Sequence, residues 1–262
     1  MSITKVKGLV LSFSNINDND RIFTLFCPEV GKITAMSKGV RSHKHKDFSA
    51  LQPFSLANFV LDDSKGIAYI NQTELLESFY DIRQSVEKMS LGTYVLDIIS
   101  YLADEFTYDD EFFSFTLNTL YVISKLDISS YDDLVTNLFK LKLIFELKTL
   151  CQAGYMPSMD FCINCKSKTD LLYFNTYYGS SMCESCSKGL DESYIVKISD
   201  SIYKMIKYII SSTYREVFKF NASKENILYT SSLIENYFIN KFEFESSKLL
   251  YFKSIIDKDY YK

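Results

Sequence analysis

Four cysteines in two short knuckles carry the plainest chemistry in this 262-residue sequence: Cys162-x2-Cys165 and Cys183-x2-Cys186, with 17 residues between the pairs. Each knuckle lets two sulfurs approach one ion from a tight turn, and the turn positions are Ile163-Asn164 and Glu184-Ser185. Two such pairs at this spacing are the ligand set of a closed tetrahedral zinc site. Four sulfurs leave no position for water or substrate, so the metal holds structure and does not act as a Lewis acid, which excludes a zinc hydrolase. Two disulfides are the competing use of the same residues, but they need an oxidising compartment. The opening stretch MSITKVKGLV does not read as a secretory signal, and no apolar run reaches membrane-spanning length. The expectation is one structural Zn²⁺ per chain on Cys162, Cys165, Cys183 and Cys186. Cys27 and Cys151 lie among apolar neighbours and read as small buried hydrophobes.

The next feature is electrostatic. The chain is mildly acidic, at net charge −4, which by itself argues against a nucleic-acid binder. The charge is uneven, however: residues 1–80 carry +1 and the remainder −5. Lys32, Lys38, Arg41, Lys44 and Lys46 put five cations into 15 residues without an acid. A solvated loop is the ordinary use of such a run, and His43 and His45 between the lysines have no metal-type partner nearby. Phe48 and Phe54 flank the run and read as core positions rather than stacking surfaces.

The elements that must position these groups change character near residue 80. Lys5–Phe13, Arg21–Cys27, Lys32–Ser37, Phe54–Leu61 and Ala68–Glu77 are short, rich in β-branched and aromatic residues, and bounded by turn chemistry at Asn15–Asp20, Pro28–Gly31 and Asp62–Gly66. Five strands in this length suit a small barrel such as an OB-fold. From Ile82 the period becomes helical, with segments over Val86–Leu102, Phe112–Leu126, Leu134–Gly154, Ser199–Ser212 and Lys224–Phe242. The fold class is therefore α+β: a barrel domain over residues 1–80, then a helical domain over 81–262 carrying the metal-binding segment 158–190.

No catalytic constellation emerges. The sequence has no Gly-rich phosphate loop and no HExxH, and its two histidines sit together in the basic run. The paired acids Asp62-Asp63, Asp109-Asp110 and Asp132-Asp133 stand at loops or helix starts, where solvation and capping account for them.

In its order of parts and in its local motifs, the chain resembles the bacterial RecO family of recombination mediators. The similar stretches are Gly8-Leu9-Val10-Leu11, Asn19-Asp20-Arg21, Gly31-Lys32, Lys38-Gly39-x-Arg41, Leu51-Gln52-Pro53-Phe54 and Glu74-Leu75-x-Glu77, then Phe145-Glu146-Leu147 through Gly154-Tyr155-x-Pro157 into the first knuckle, and Tyr173-Phe174 with Gly179 before the second. Around Lys241–Leu250 the similarity thins, and Glu245 stands where a basic residue is expected. The resemblance implies a non-enzymatic mediator of recombinational repair, cytoplasmic and nucleoid-associated during repair. Such a protein binds single- and double-stranded DNA, anneals complementary strands, engages the C-terminal tail of single-strand-binding protein, and works with RecR to load RecA. A barrel of this kind binds strands with a basic groove, and Arg21, Lys32, Lys38, Arg41, Lys44 and Lys46 are the candidate DNA-binding residues. The rival from another class is a zinc-ribbon scaffold that binds only protein, in which the basic run serves solubility.

Overall fold

The computed structural model describes residues 3–42, 45–62, 68–103, 109–188 and 193–256. Five strands, β1 (Ile3–Asn15), β2 (Arg21–Cys27), β3 (Gly31–Ser37), β4 (Leu56–Asp62) and β5 (Ala68–Glu77), close into a barrel in the order β1-β2-β3-β5-β4. All neighbours are antiparallel except β3 and β5, whose short parallel pairing completes the closure. Strand β1 serves two partners: Ile3–Leu9 pairs with β4 and Leu9–Asn15 with β2. Its register shifts between Val10 and Ser12, the kind of bulge that bends a strand around a barrel corner. The interior is filled by Val6, Val10, Phe23, Leu25, Phe59 and Leu61, with Val40 and Leu51 from the connecting loop. Phe23 and Phe59 are fully enclosed, each contributing about 1.5–3 kcal/mol by leaving water.

The strand expected to begin at Phe54 begins instead at Leu56. Phe54 takes a left-handed backbone (φ 69°) and is buried, with its ring in the space beside Gly92. Phe48 is half-buried. Of the expected turn between β4 and β5, residues 63–66 lie outside the described residues.

Helices α1 (Val86–Leu102), α2 (Asp110–Lys125), α3 (Tyr131–Gln152), α4 (Glu184–Ser187), α5 (Asp200–Ser211), α6 (Lys224–Phe242) and α7 (Ser247–Ile256) follow. Serine starts four of them, because its hydroxyl takes an otherwise orphaned N–H: Ser85 from Lys88, Ser130 from Asp133, Ser199 from Ile202 and Ser223 from Asn226. Three features are absent from the sequence reading: the short α4, α7, and a three-stranded sheet of β6 (Tyr173–Asn175), β7 (Ser180–Met182) and β8 (Ile195–Lys197), ordered β7-β6-β8, whose first two strands lie in the cysteine segment and whose third follows it.

The chain forms two compact units, residues 1–125 with 246–262, and residues 126–245. In the first, α1 packs on the barrel and on α7, and Ser246 donates to Asp97 at 2.5 Å. In the second, α3 is buried along most of its length and packs chiefly against α6. At that contact Lys142 is wholly enclosed and meets Glu146 Oε1 at 2.8 Å and Glu235 Oε2 at 2.8 Å. No helix among the described residues is long and apolar enough to cross a membrane.

Candidate metal centre and nucleic-acid interface

The two knuckles meet. The sulfurs of Cys162, Cys165, Cys183 and Cys186 all lie within 4.8 Å of one another, and Cys165 and Cys183 approach to 3.6 Å. Tetrahedral zinc with sulfur at 2.3 Å would space its ligands about 3.8 Å apart, so the set is of the right size. Local backbone explains the convergence. After the first knuckle the chain turns through Lys166 in a left-handed conformation (φ 62°), where Lys166 N–H donates to Cys162 O at 3.0 Å. Cys183 caps α4, taking the N–H groups of Cys186 and Ser187 on its carbonyl at 3.2 and 3.1 Å. Ile163 N–H donates to Ser181 O at 3.2 Å and ties the first knuckle to β7.

Protonation differs among Cys162, Cys183 and Cys186. Burial pushes the Cys162 thiol up, but the N–H groups of Cys165, Cys183 and Asn164 outweigh it and bring it down to about 6. Cys183 is lowered by the Ser185 hydroxyl and the Cys186 N–H. Cys186 is pushed up to about 12 by its hydrogen bonds with Cys165 and Cys183. Hydrogen-bond donors thus favour thiolate at Cys162 and Cys183, while Cys186 keeps its proton in hydrogen bonds with its neighbours, a proton that a divalent cation would displace. The four cysteines fit a structural metal. Cys27 and Cys151 stand apart from it, their thiols pushed by burial to about 12 and about 11; Cys27 is buried as expected, and Cys151 is half-buried.

The basic residues are not one cluster. Arg21 opens β2, pairs across the ladder with Ser37, and is followed in space by Lys38. Its guanidinium lies 4.0 Å from the Phe13 ring, and its Nε donates to Asn15 Oδ1 at 3.0 Å. Arg41 arrives from the β3–β4 connection, donating from Nη1 to Asn17 O at 2.7 Å and from its backbone N–H to Asn19 O at 3.2 Å. Asp20 ties these segments together, accepting from Asn17 Nδ2 at 2.9 Å and Gly39 N–H at 2.9 Å. Those donors, with a smaller contribution from Lys38, hold its carboxyl below the usual range, so it is ionised and sits among the cations. Burial and the nearby Arg41 lower the affinity of Arg21 for its proton. Two guanidinium groups close enough for one to lower the proton affinity of the other are a place where an anion lowers the energy of both.

Lys38 reaches over Tyr69 of β5, 5.2 Å from the ring centre. Lys46 is exposed on a run of turns anchored by Asp47, whose Oδ1 accepts from Thr73 Oγ1 at 2.7 Å. Lys32 lies at the far end of β3, about 20 Å along the strand from Lys38, and its ammonium donates to Ser100 O near the C-terminus of α1 at 3.0 Å. Lys44 and His43 lie outside the described residues. Sequence distance hid the approach of Arg41 to Arg21; the hydrogen bonds from Gly39 to Asp20 and from Arg41 to Asn17 and Asn19 have no one-dimensional signature.

Comparison with known proteins bears on the family of the chain. The family model described as Recombination protein O N terminal matches residues 1–79, and that described as Recombination protein O C terminal matches residues 83–244. Similar curated proteins named DNA repair protein RecO include those of Acetivibrio thermocellus, 28% identical across 97% of this chain and 98% of the relative, and Thermoanaerobacter sp., 30% identical across 82% of each. That of Caldanaerobacter subterraneus is 28% identical across 83% of this chain and 84% of the relative. With both family models matched in order over a closed five-stranded barrel and a helical part bearing a metal-sized cysteine cluster, the chain belongs to the recombination protein O family.

Proposed function

We propose that this chain is a non-enzymatic recombination mediator in DNA repair, whose residues 1–80 form its nucleic-acid-binding module. The observation that carries the reading is the convergence of Arg21, Lys38 and Arg41 at one end of an OB-like barrel. Lys46 is exposed further along the same connection and adds to this basic surface, and Lys44 is kept as a candidate contact on its sequence alone, whereas Lys32 adds only to the surrounding field. Binding is to the phosphate backbone of single- and double-stranded DNA, largely without reading sequence. By holding two strands the protein favours annealing. It works with RecR, and with the tail of single-strand-binding protein, to let RecA onto coated strands. The metal is Zn²⁺, held by Cys162, Cys165, Cys183 and Cys186, and it supplies only cohesion to that segment. The protein turns over neither DNA nor nucleotide.

The test is a titration of labelled single-stranded DNA at several salt concentrations. Each phosphate contact contributes roughly 0.7 to the slope of log affinity against log salt. Replacing Arg21, Lys38, Arg41 and Lys46 together is expected to weaken binding to all sequences alike and to flatten the slope by about two to three units. A folded quadruple variant with unchanged affinity and slope refutes this interface. Failure of the unaltered chain to bind at all supports the protein-only scaffold instead.

A further inference from the structure

The hairpin joining β6 to β7 ends in Thr176-Tyr177-Tyr178-Gly179, a turn that presents two consecutive tyrosines to solvent at 51% and 60% exposure. Tyr194, at the entry to β8, is 40% exposed. The rings form one group: Tyr177 lies 5.0 Å from Tyr178 at 90° and 5.5 Å from Tyr194 at 64°. With Ile163, Asn164 and Ile195 they line a recess of about 420 Å³, and no carboxylate among the described residues lines it. Lys241 on α6 holds its ammonium 5.3 Å from the Tyr177 ring and 5.6 Å from Tyr237. Among the described residues no acid pairs with Lys241.

Nothing in packing calls for these rings, since a four-residue turn is served as well by polar residues, and clustered exposed aromatics mark interaction surfaces. The turn is also held fast. Asn175 Oδ1 accepts from the N–H groups of Tyr177 and Tyr178 at 3.0 and 2.9 Å, and Gly179 N–H donates to Asn175 O at 2.8 Å. Gly179 (φ 64°) presses on Tyr237 so closely that a Cβ there would come within 2.1 Å of the ring. Rings fixed before binding lose little freedom on binding.

Flat faces, hydroxyl edges and one cation without a carboxylate suit a ligand that is planar and anionic in alternation. We propose that Tyr177, Tyr178 and Tyr194 are a base-stacking platform for single-stranded DNA, with Lys241 meeting an adjoining phosphate. The inference rests on the DNA-binding function proposed above and adds to it a contact region in the second unit, one that reads bases as flat surfaces where the barrel reads phosphates. Stacking tolerates every sequence because every base has a π-face.

The experiment compares an oligothymidylate with an abasic oligonucleotide of the same length, by fluorescence anisotropy on the full chain. Replacing Tyr177 and Tyr178 by alanine is expected to weaken binding to oligothymidylate about tenfold or more, leaving the abasic strand and the salt slope nearly unchanged. Tyr177→Phe with Tyr178→Phe keeps the rings and should keep the affinity. Retained metal and far-UV circular dichroism establish that the alanine variant is folded; should it not fold, Tyr178→Leu alone, at the most exposed ring, gives the same comparison. A folded variant whose preference for bases over abasic strand matches the unaltered chain overturns this inference alone, and is the result expected if the patch serves a peptide. Absence of DNA binding by the unaltered chain overturns the proposed function and this inference together.

Discussion

Lys142→Met is the most exacting test of how the second unit holds together. Lys142 and Glu146 are one turn apart on α3, and Glu235 faces them from α6. Nζ donates to Glu146 at 2.8 and 2.9 Å, lies 2.8 Å from Glu235, and reaches Ser231 Oγ at 3.5 Å. Burial would push the ammonium's pKa down, but the two carboxylates more than offset this and hold it above its ordinary value. A raised pKa in the folded state means that this stabilisation is complete at neutral pH and is lost only as pH climbs beyond the usual lysine range of about 10.4.

Methionine keeps the volume and removes the charge, leaving two carboxylates buried against each other. Removing one partner from a buried ion pair costs about 3–5 kcal/mol. Because the triad holds one cation and two anions, Glu146→Gln removes surplus negative charge and should cost clearly less. Urea unfolding followed by far-UV circular dichroism gives both numbers. The penalty of Lys142→Met should shrink as pH falls from 7 to 5, since like charges and burial raise the carboxylate pKa and protonation relieves them. A penalty below about 1 kcal/mol that does not vary with pH would refute this account of the α3–α6 contact.

Two further outcomes are expected. Cys165→Ser, or a strong chelator, should release the metal and unfold the cysteine segment, because structural zinc contributes on the order of 10–16 kcal/mol to small sites; Cys27→Ser and Cys151→Ser should leave metal content at one per chain by elemental analysis. Gly8→Ala should destabilise the barrel by about 1–3 kcal/mol, since its Cβ would fall 2.7 Å from Cys27 Sγ. Adding Cys27→Ala should recover much of that loss, and strict additivity in a thermal or urea melt would show that the sulfur is not the obstacle.

Much of this was legible in one dimension because it depends on local chemistry. The cysteine spacing alone defines a ligand set, since two knuckles of the right length meet a tetrahedron in any fold that joins them. The strand character of Arg21–Cys27 and the helical period of the long segments likewise follow from backbone geometry within a few residues. Strands of three residues, such as β6 to β8, are too short to show a period, and exposed Leu250 and Tyr251 blur the apolar stripe of α7.

Tertiary structure decided the fate of the charges. Lys32 and Lys38 look equivalent in sequence, yet β3 carries them to opposite ends, one to the C-terminus of α1 and the other beside Arg21. Arg41 comes near Arg21 because Asn17, Asn19 and Asp20 accept hydrogen bonds from Arg41 and Gly39, 19 to 24 residues on. Lys142 is wholly enclosed because α6 places Glu235 against it in the core. Charges act through space at distances set by the whole fold, so their roles follow from where the chain returns and not from what precedes them.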